Sequence, residues 1–217
     1  RFGVGSLVSL GMLILEFYLT CALFLFFVLW PIAAYSGFSL FKLMRYIRSE
    51  LLLVIGTSSS ESVFPQLLRK LEQLGIQRSV AGLVLPAGYS FNHDGTCLYF
   101  AAVSVFLAQA TNTALGWQQQ LGLLAVLLIT SKGGAGVAGS AIAVLAATLA
   151  ATNTIPVASI ALILGVHRLL SSVFVFINII GNAVATVVVA AWENAVDRRT
   201  LLGELDRGYV PAEAAAE

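Results

Sequence analysis

The chain has 217 residues, of which 59% are AVILMFWYC and only 11% are charged; the net charge is +1 and the mean hydropathy +0.91. A soluble chain of this size could not hide so much apolar side chain, and soluble domains hold about 25% charged residues. The composition gives a membrane protein with lipid around it, and the near-neutral balance gives no footing for nucleic acid. Cys21 and Cys97 are isolated, without metal or disulfide spacing, and read as small buried thiols. The opening RFGVGSLVSLGM has no initiator Met and no signal-peptide pattern, and reads as the interior of a longer protein.

Residues 7–38 form an apolar segment interrupted only by Glu16, ample for one span of about 20 residues. Residues 39–75 follow as two short amphipathic pieces around the tip GTSSSES, with Pro65 in the first turn of the second piece. Neither piece can cross a bilayer alone, so the pair reads as a re-entrant hairpin. Residues 79–112 are apolar but broken in the middle by GYSFNHDGT. A second pair, 117–152, surrounds the glycine-rich tip SKGGAGVAGS. Residues 156–192 make a last span interrupted by His167, Arg168, Asn178, Gly181 and Asn182, and residues 193–217 read as a charged cytoplasmic tail that frays.

The predicted fold class is an all-α membrane protein of transmembrane helices plus two re-entrant helical hairpins. Paired, interrupted hydrophobic segments in corresponding positions point to a transporter's binding site, and their irregular tips must face protein or a water-filled cavity. Lys42, Arg45, Arg48, Arg69, Lys70 and Arg78 flank the first hairpin, whereas ATNTALGWQQQ and ATNTIPVA around the second carry no charge. The positive-inside rule then brings the first hairpin in from the cytoplasm and the second from outside, as an inverted repeat whose tips meet near mid-membrane.

GAGVAG, residues 134–139, matches GxGxxG, yet no Asp or Glu lies between Asp94 and Glu193 to hold a ribose, and the Lys precedes the glycines. Nucleotide-dependent enzyme chemistry fails on that count. The glycines suit an unwound tip instead. Asp94 is the sole acidic residue between Glu72 and Glu193. A carboxylate at bilayer depth costs at least roughly 2.5–3.5 kcal/mol and needs a partner or a cation. Asn-x-Asp-Gly also suits a surface turn, but that would leave residues 83–110 as two pieces too short to span. Asp94, the Asn92 amide oxygen and carbonyls freed by a break at Gly95 suit a hard monovalent cation or a proton, not a transition metal. His93 reads as a packed or hydrogen-bonded residue. The TSSSES tip offers hydroxyls and helix N-terminal amides to a carboxylate, and Lys132 at the other tip adds charge or snorkels. His167, Ser171, Phe174, Asn178 and Asn182 share one helical face, expected to line the same cavity.

GTSSSES, PAGYSFNHDGT, SKGGAGVAGS and ILGVHRLL…NIIGNAVATVVVA, in that order, resemble the dicarboxylate/amino acid:cation symporters, especially the branch of bacterial aerobic C4-dicarboxylate transport proteins. The resemblance runs to about Asp197 and implies the sixth helix onward of an eight-helix, trimeric, elevator-type transporter of the bacterial inner membrane, with the scaffold helices outside this chain. It implies substrate contacts at Ser58, Ser59, Ser60, Thr96, Gly133, Gly136, Ser171, Phe174 and Asn178. It also implies cation contacts at Asn92, Asp94, Asn178 and Asn182. No cofactor is implied beyond the coupling cation, H+ or Na+. The implied activity is symport of a C4-dicarboxylate such as succinate, fumarate or malate. Three positions depart from the family: His167 replaces an Asp, His93 a Leu or Met, and Phe174 an Arg that pairs with a substrate carboxylate. Arg168, six residues before Phe174, is about 600° of helix away, roughly 120° off that face. These departures leave a neutral or monocarboxylate substrate, or a non-transporting paralogue or fragment, as alternatives.

The orientation is open to direct measurement. In a Cys-free background of the full-length protein, Cys at Gln119 is expected to react with an impermeant thiol reagent from outside and Cys at Gln73 from the cytoplasm only. The reverse labelling overturns the inverted repeat.

Overall fold

A computed structural model describes residues 3–133 and 139–209. Among the described residues the chain is helical, and two helical stretches, residues 4–35 and 164–192, are long and apolar enough to cross a membrane. The first stretch joins α1 (Val4–Phe24) through one wide π turn at Leu25–Leu29 to α2 (Trp30–Tyr35). Pro31 sits in the first turn of α2 and cannot donate to the carbonyl four residues back, so the ladder is re-spaced just ahead of it.

The segment expected as the first hairpin folds as α3 (Leu40–Tyr46) and α4 (Arg48–Thr57), a Ser-rich turn, and α5 (Phe64–Gln73). The halves are antiparallel, because Lys70 near the end of α5 bonds Glu50 at the start of α4 at 2.7 Å. Gly75, at φ +83, closes α5 in the left-handed conformation that ends many helices. The broken segment is α6 (Arg78–Phe91) and α7 (Asp94–Ala110), and the second pair is α8 (Trp117–Thr130) and α9 (Ser140–Thr152). The last is α10 (Leu164–Trp192), preceded by a 3-10 turn at Val157–Leu162.

The central element is α10. Its most apolar stretch is 78% buried, against 22% for the most apolar stretch within residues 4–35. It packs against α1, α4, α5, α6 and α7. Gly181, Ala183 and Ala190 are among its buried positions, and small residues let helices approach closely where lipid gives no hydrophobic drive for association. Leu7, Met12, Leu15, Leu19, Phe26 and Phe27 of the first stretch are exposed, as expected of a surface turned to lipid or to other helices.

The tail is not frayed over its described length. Residues Arg198–Arg207 form α11, with Leu201 and Leu205 buried and Tyr209 beyond it. Asp197 caps this helix, accepting from the Arg199 amide at 2.9 Å and the Thr200 hydroxyl at 2.7 Å. Those bonds, the Thr200 hydroxyl first, hold its carboxyl below the usual carboxylate range, so the cap is present at neutral pH and is lost as pH falls through the lowered value. Ile76 and Val196 form an isolated antiparallel bridge, and Arg45 donates to the carbonyls of Leu205 and Asp206 at 3.3 and 3.1 Å. Charge and low hydropathy suggested a solvated tail; a few apolar positions and the basic base of the first helix pair instead give it something to fold on.

Lys70 is only 3% exposed and Glu50 2%. The ammonium donates to Glu50, to the Ser49 hydroxyl at 2.7 Å and to the Tyr46 carbonyl at 3.2 Å, and lies 3.9 Å from the centre of the Tyr209 ring. Removing one partner of a buried pair strands the other charge. Lys70→Met is therefore expected to cost about 3–5 kcal/mol, read by thermal unfolding in detergent. Lys70→Met/Glu50→Leu is expected to recover much of that loss, and equal unfolding of Lys70→Met and the parent chain would refute the assignment.

Candidate functional site

The two halves of the broken helix leave Asn92 and His93 between them, and α7 begins at Asp94. The break lies before the Asp and not at Gly95, as the sequence suggested; Gly95 is already helical. His93, at the N-cap position, makes no side-chain cap. The free amides of the new helix are capped from another element: Asn178 of α10 accepts from Gly95 N–H at 2.8 Å and from Thr96 N–H at 3.3 Å. Its amide then donates to Thr96 Oγ1 at 2.9 Å. One side chain thus satisfies donors that a helix start leaves orphaned.

This junction is tight enough to exclude side chains. A Cβ on Gly95 would stand 2.3 Å from the Phe174 carbonyl oxygen, and one on Gly181 would stand 2.2 Å from Asp94 Oδ2 and 3.2 Å from Asn92 Nδ2. A Cβ on Gly88 would meet Asn182 Oδ1 at 2.3 Å. Asp94 and Asn92 therefore lie against Gly181, with Asn182 one position further along α10. Asn182 is 2% exposed, and among the described residues its Oδ1 has no hydrogen-bond partner. A carboxylate at a helix start and a buried amide oxygen are both hard-oxygen groups of the kind that a proton or an alkali cation takes.

His93 is buried and bridges two elements: Nδ1 lies 2.8 Å from the Ser131 carbonyl oxygen and Nε2 2.8 Å from that of Tyr89. The packed, hydrogen-bonded reading of this residue holds. Lys132 donates to the Phe91 carbonyl, so the second turn is pinned to the end of α6 by two side chains. Gly133 ends the short 3-10 turn at Ser131–Gly133, while Gly136 lies outside the described residues.

On the first turn, Ser58 is buried, adopts a left-handed conformation at φ 51, and shares a 3.0 Å hydroxyl contact with Ser172. Its neighbours are partly self-contained, since Ser59 N–H donates to Thr57 Oγ1 at 3.3 Å and Ser62 donates to the Ser59 carbonyl at 2.8 Å. Ser60 is also buried.

The face of α10 expected to line a cavity is mostly a packing face. Phe174 is 7% exposed, and its ring centre lies 5.0 Å from that of Tyr99. The Tyr99 hydroxyl meets His167 Nδ1 at 3.0 Å, and Ser171 donates to the Arg168 carbonyl of its own helix at 3.0 Å. A face of polar residues on a central helix meets other helices before it meets water. The tertiary structure thus brings Asn92, Asp94, Thr96, Asn178 and Asn182 to one junction. It joins Ser58 to the other side of α10 and turns Phe174 into an aromatic cluster. Sequence reading missed Gly88, Tyr99 and Ser172. The signal for Gly88 was available: helix-interior glycine costs about 1 kcal/mol against alanine, so it needs a packing reason.

The junction separates two glycine replacements. Gly95→Ala meets backbone and is expected to cost about 1–3 kcal/mol by thermal unfolding in detergent. Gly181→Ala meets a side-chain carboxylate that can swing away and is expected to cost less. Equal, negligible losses would refute the close approach.

The sodium:dicarboxylate symporter family model matches residues 1–192. The C4-dicarboxylate transport protein of Deinococcus radiodurans is 58% identical over 211 residues, covering 97% of this chain and 48% of that protein. Its counterpart in Pseudomonas syringae pv. syringae is 57% identical, covering 95% and 46%, and that of Acinetobacter baylyi 53%, covering 100% and 50%. The chain spans about half the length of these relatives. With the match running through both helix pairs, the broken helix and α10, the chain belongs to the sodium:dicarboxylate symporter family.

Proposed function

We propose that this chain forms the transport-domain part of a cation-coupled symporter for C4-dicarboxylates such as succinate, fumarate or malate. In this reading the two helix pairs are re-entrant hairpins, and the domain moves by an elevator motion within a trimer in the bacterial inner membrane. The observation that carries the reading is the junction at Asp94, where Asn178 caps α7 and the carboxylate rests against Gly181, one position before the buried Asn182. The names of the relatives and the family support the substrate class.

Asp94 supplies the negative charge for the coupling cation, H+ or Na+, while Asn92, Asn178 and Asn182 supply dipoles around it. The substrate carboxylate is received by Ser58, Ser59 and Ser60 of the first tip, by Thr96, Ser171 and Asn178, and by Gly133 and Gly136 of the second tip. Lys132 adds a positive charge at that tip. Cation and anion sites share Asn178 and the start of α7, so each charge lowers the cost of bringing the other into a poorly solvated place.

Phe174 favours a second reading of the substrate. Its ring is engaged with Tyr99, and its own position offers no guanidinium to a second carboxylate. A substrate with one carboxylate and an apolar or neutral far end suits that wall better. Leaving a second carboxylate unpaired in a partly buried site costs about 3–5 kcal/mol, and every 1.4 kcal/mol is tenfold in affinity.

Uptake by the full-length protein tests both readings. Asp94→Asn is expected to abolish cation-dependent uptake while membrane expression persists; unchanged ion dependence removes Asp94 from the site. Succinate is compared with monocarboxylates and neutral amino acids in the parent and in Phe174→Arg. Micromolar succinate uptake by the parent, with no gain from Phe174→Arg, establishes the dicarboxylate reading and removes position 174 from specificity. Preference for the monocarboxylate, reversed by Phe174→Arg, establishes the second.

A further inference from the structure

We propose that Arg168 is a positioning residue for the first Ser-rich tip, fixing Ser58–Ser60 to α10 by capping the end of α4 from outside that helix. The inference deepens the transport reading and rests on it only for the uptake measurement below.

A helix C-terminus leaves its last carbonyls without intrahelical partners. At the end of α4 most of these groups find partners. The Leu53 carbonyl accepts the Thr57 hydroxyl at 2.9 Å, and the Val54 carbonyl accepts the Ser58 amide at 2.7 Å. The Gly56 and Thr57 carbonyls both accept from the guanidinium of Arg168, the latter at 3.2 Å. Ser58 then turns left-handed, which ends the helix and starts the tip. A cation at a helix C-terminus also opposes the negative end of the helix dipole.

Ser172, one turn after Arg168, completes the grip. Its hydroxyl lies 3.1 Å from the Arg168 carbonyl oxygen and 3.0 Å from Ser58 Oγ. Residues 168 and 172 therefore form one short stripe of α10 that holds the chain from Gly56 to Ser58, where the helix ends and the tip begins. The stripe is offset by about 100° from the neighbouring His167, which faces Tyr99. Arg168 is off the face expected to bind substrate, and that offset is what lets it reach α4. The second turn is pinned differently, to the end of α6 through His93 and Lys132. The first tip is thereby tied to the central helix and the second to the broken one.

A planar fork can serve two adjacent carbonyls at once, whereas an ammonium is a single point charge. The grading Arg, Lys, Met at this position is the signature of positioning. In the full-length protein in membrane vesicles, with Cys21 and Cys97 replaced by Ala, Ser58→Cys/Ser172→Cys is oxidised with copper phenanthroline. Disulfide formation is followed by loss of thiols reactive to maleimide-polyethylene glycol. The pair is expected to cross-link readily with Arg168 present, about tenfold more slowly in Arg168→Met, and at an intermediate rate in Arg168→Lys. In the otherwise unsubstituted protein, Arg168→Met is expected to raise KM for the transported anion with little change in maximal rate per folded protein, and Arg168→Lys to restore part of it. Absence of cross-linking with Arg168 present, or an equal rate in Arg168→Met, overturns the proposal. So does a loss of folded protein in Arg168→Met that lowers maximal rate alone. If the unsubstituted protein transports none of the tested anions but the cross-linking gradient holds, the transport reading fails and the positioning role stands.

Discussion

The structure depends on how closely the start of α7 and the middle of α10 can approach. At Gly95 the two backbones leave no room for a Cβ, and at Gly181 the same is true of a carboxylate. This contact lets Asn178 reach across and cap α7, which in turn lets the chain break at Asn92 and His93 without abandoning its free amides. A break in a membrane helix is tolerable only when its exposed backbone groups find partners in protein or water. Here the neighbouring helix supplies them. The candidate cation site is a by-product of that repair, because the Asp at the new helix start and the Asn on the capping helix are brought to the same depth.

The two irregular turns on either side of this junction are held by different means. The first is fastened to α10 through Ser58 and Ser172, and its helices are tied at their base by the buried Glu50–Lys70 pair. The second is fastened to the end of α6 by His93 and Lys132, at the tip itself. This asymmetry is built from polar contacts in an apolar chain, where each bond competes with few waters and the loss of one leaves a group without a substitute.

Much of this is legible in the sequence. The interrupted segments at 39–75, 79–112 and 117–152 were visible from apolar runs too short to span and from Ser, Gly and Asp placed inside them. The isolation of Asp94 marked the chemistry, because a lone carboxylate in so apolar a chain demands a reason. The helical face of His167, Phe174, Asn178 and Asn182 was also correct as a face. Its environment was not, since periodicity tells which residues point together and says nothing of what they point at. The same limit hid the fold of α11: charge alone reads as solvation, while Leu201 and Leu205 matter only once the base of the first helix pair is beside them.

By itself the sequence determined that this is a helical membrane protein with interrupted segments and a single acidic residue, Asp94, between Glu72 and Glu193, because composition and apolar run length are local properties set by the bilayer. It also carried the family, through motifs whose order and spacing are written in the chain. Only the tertiary structure decided that Asn178 caps α7 from another helix, that Phe174 packs on Tyr99, and that Arg168 reaches the end of α4. Each of these joins residues tens to more than a hundred positions apart, so no window along the chain contains both partners. The physical reason is the same in each: an orphaned backbone group or a ring is satisfied by whatever side chain packing brings within reach, and packing is decided by the whole set of helices at once.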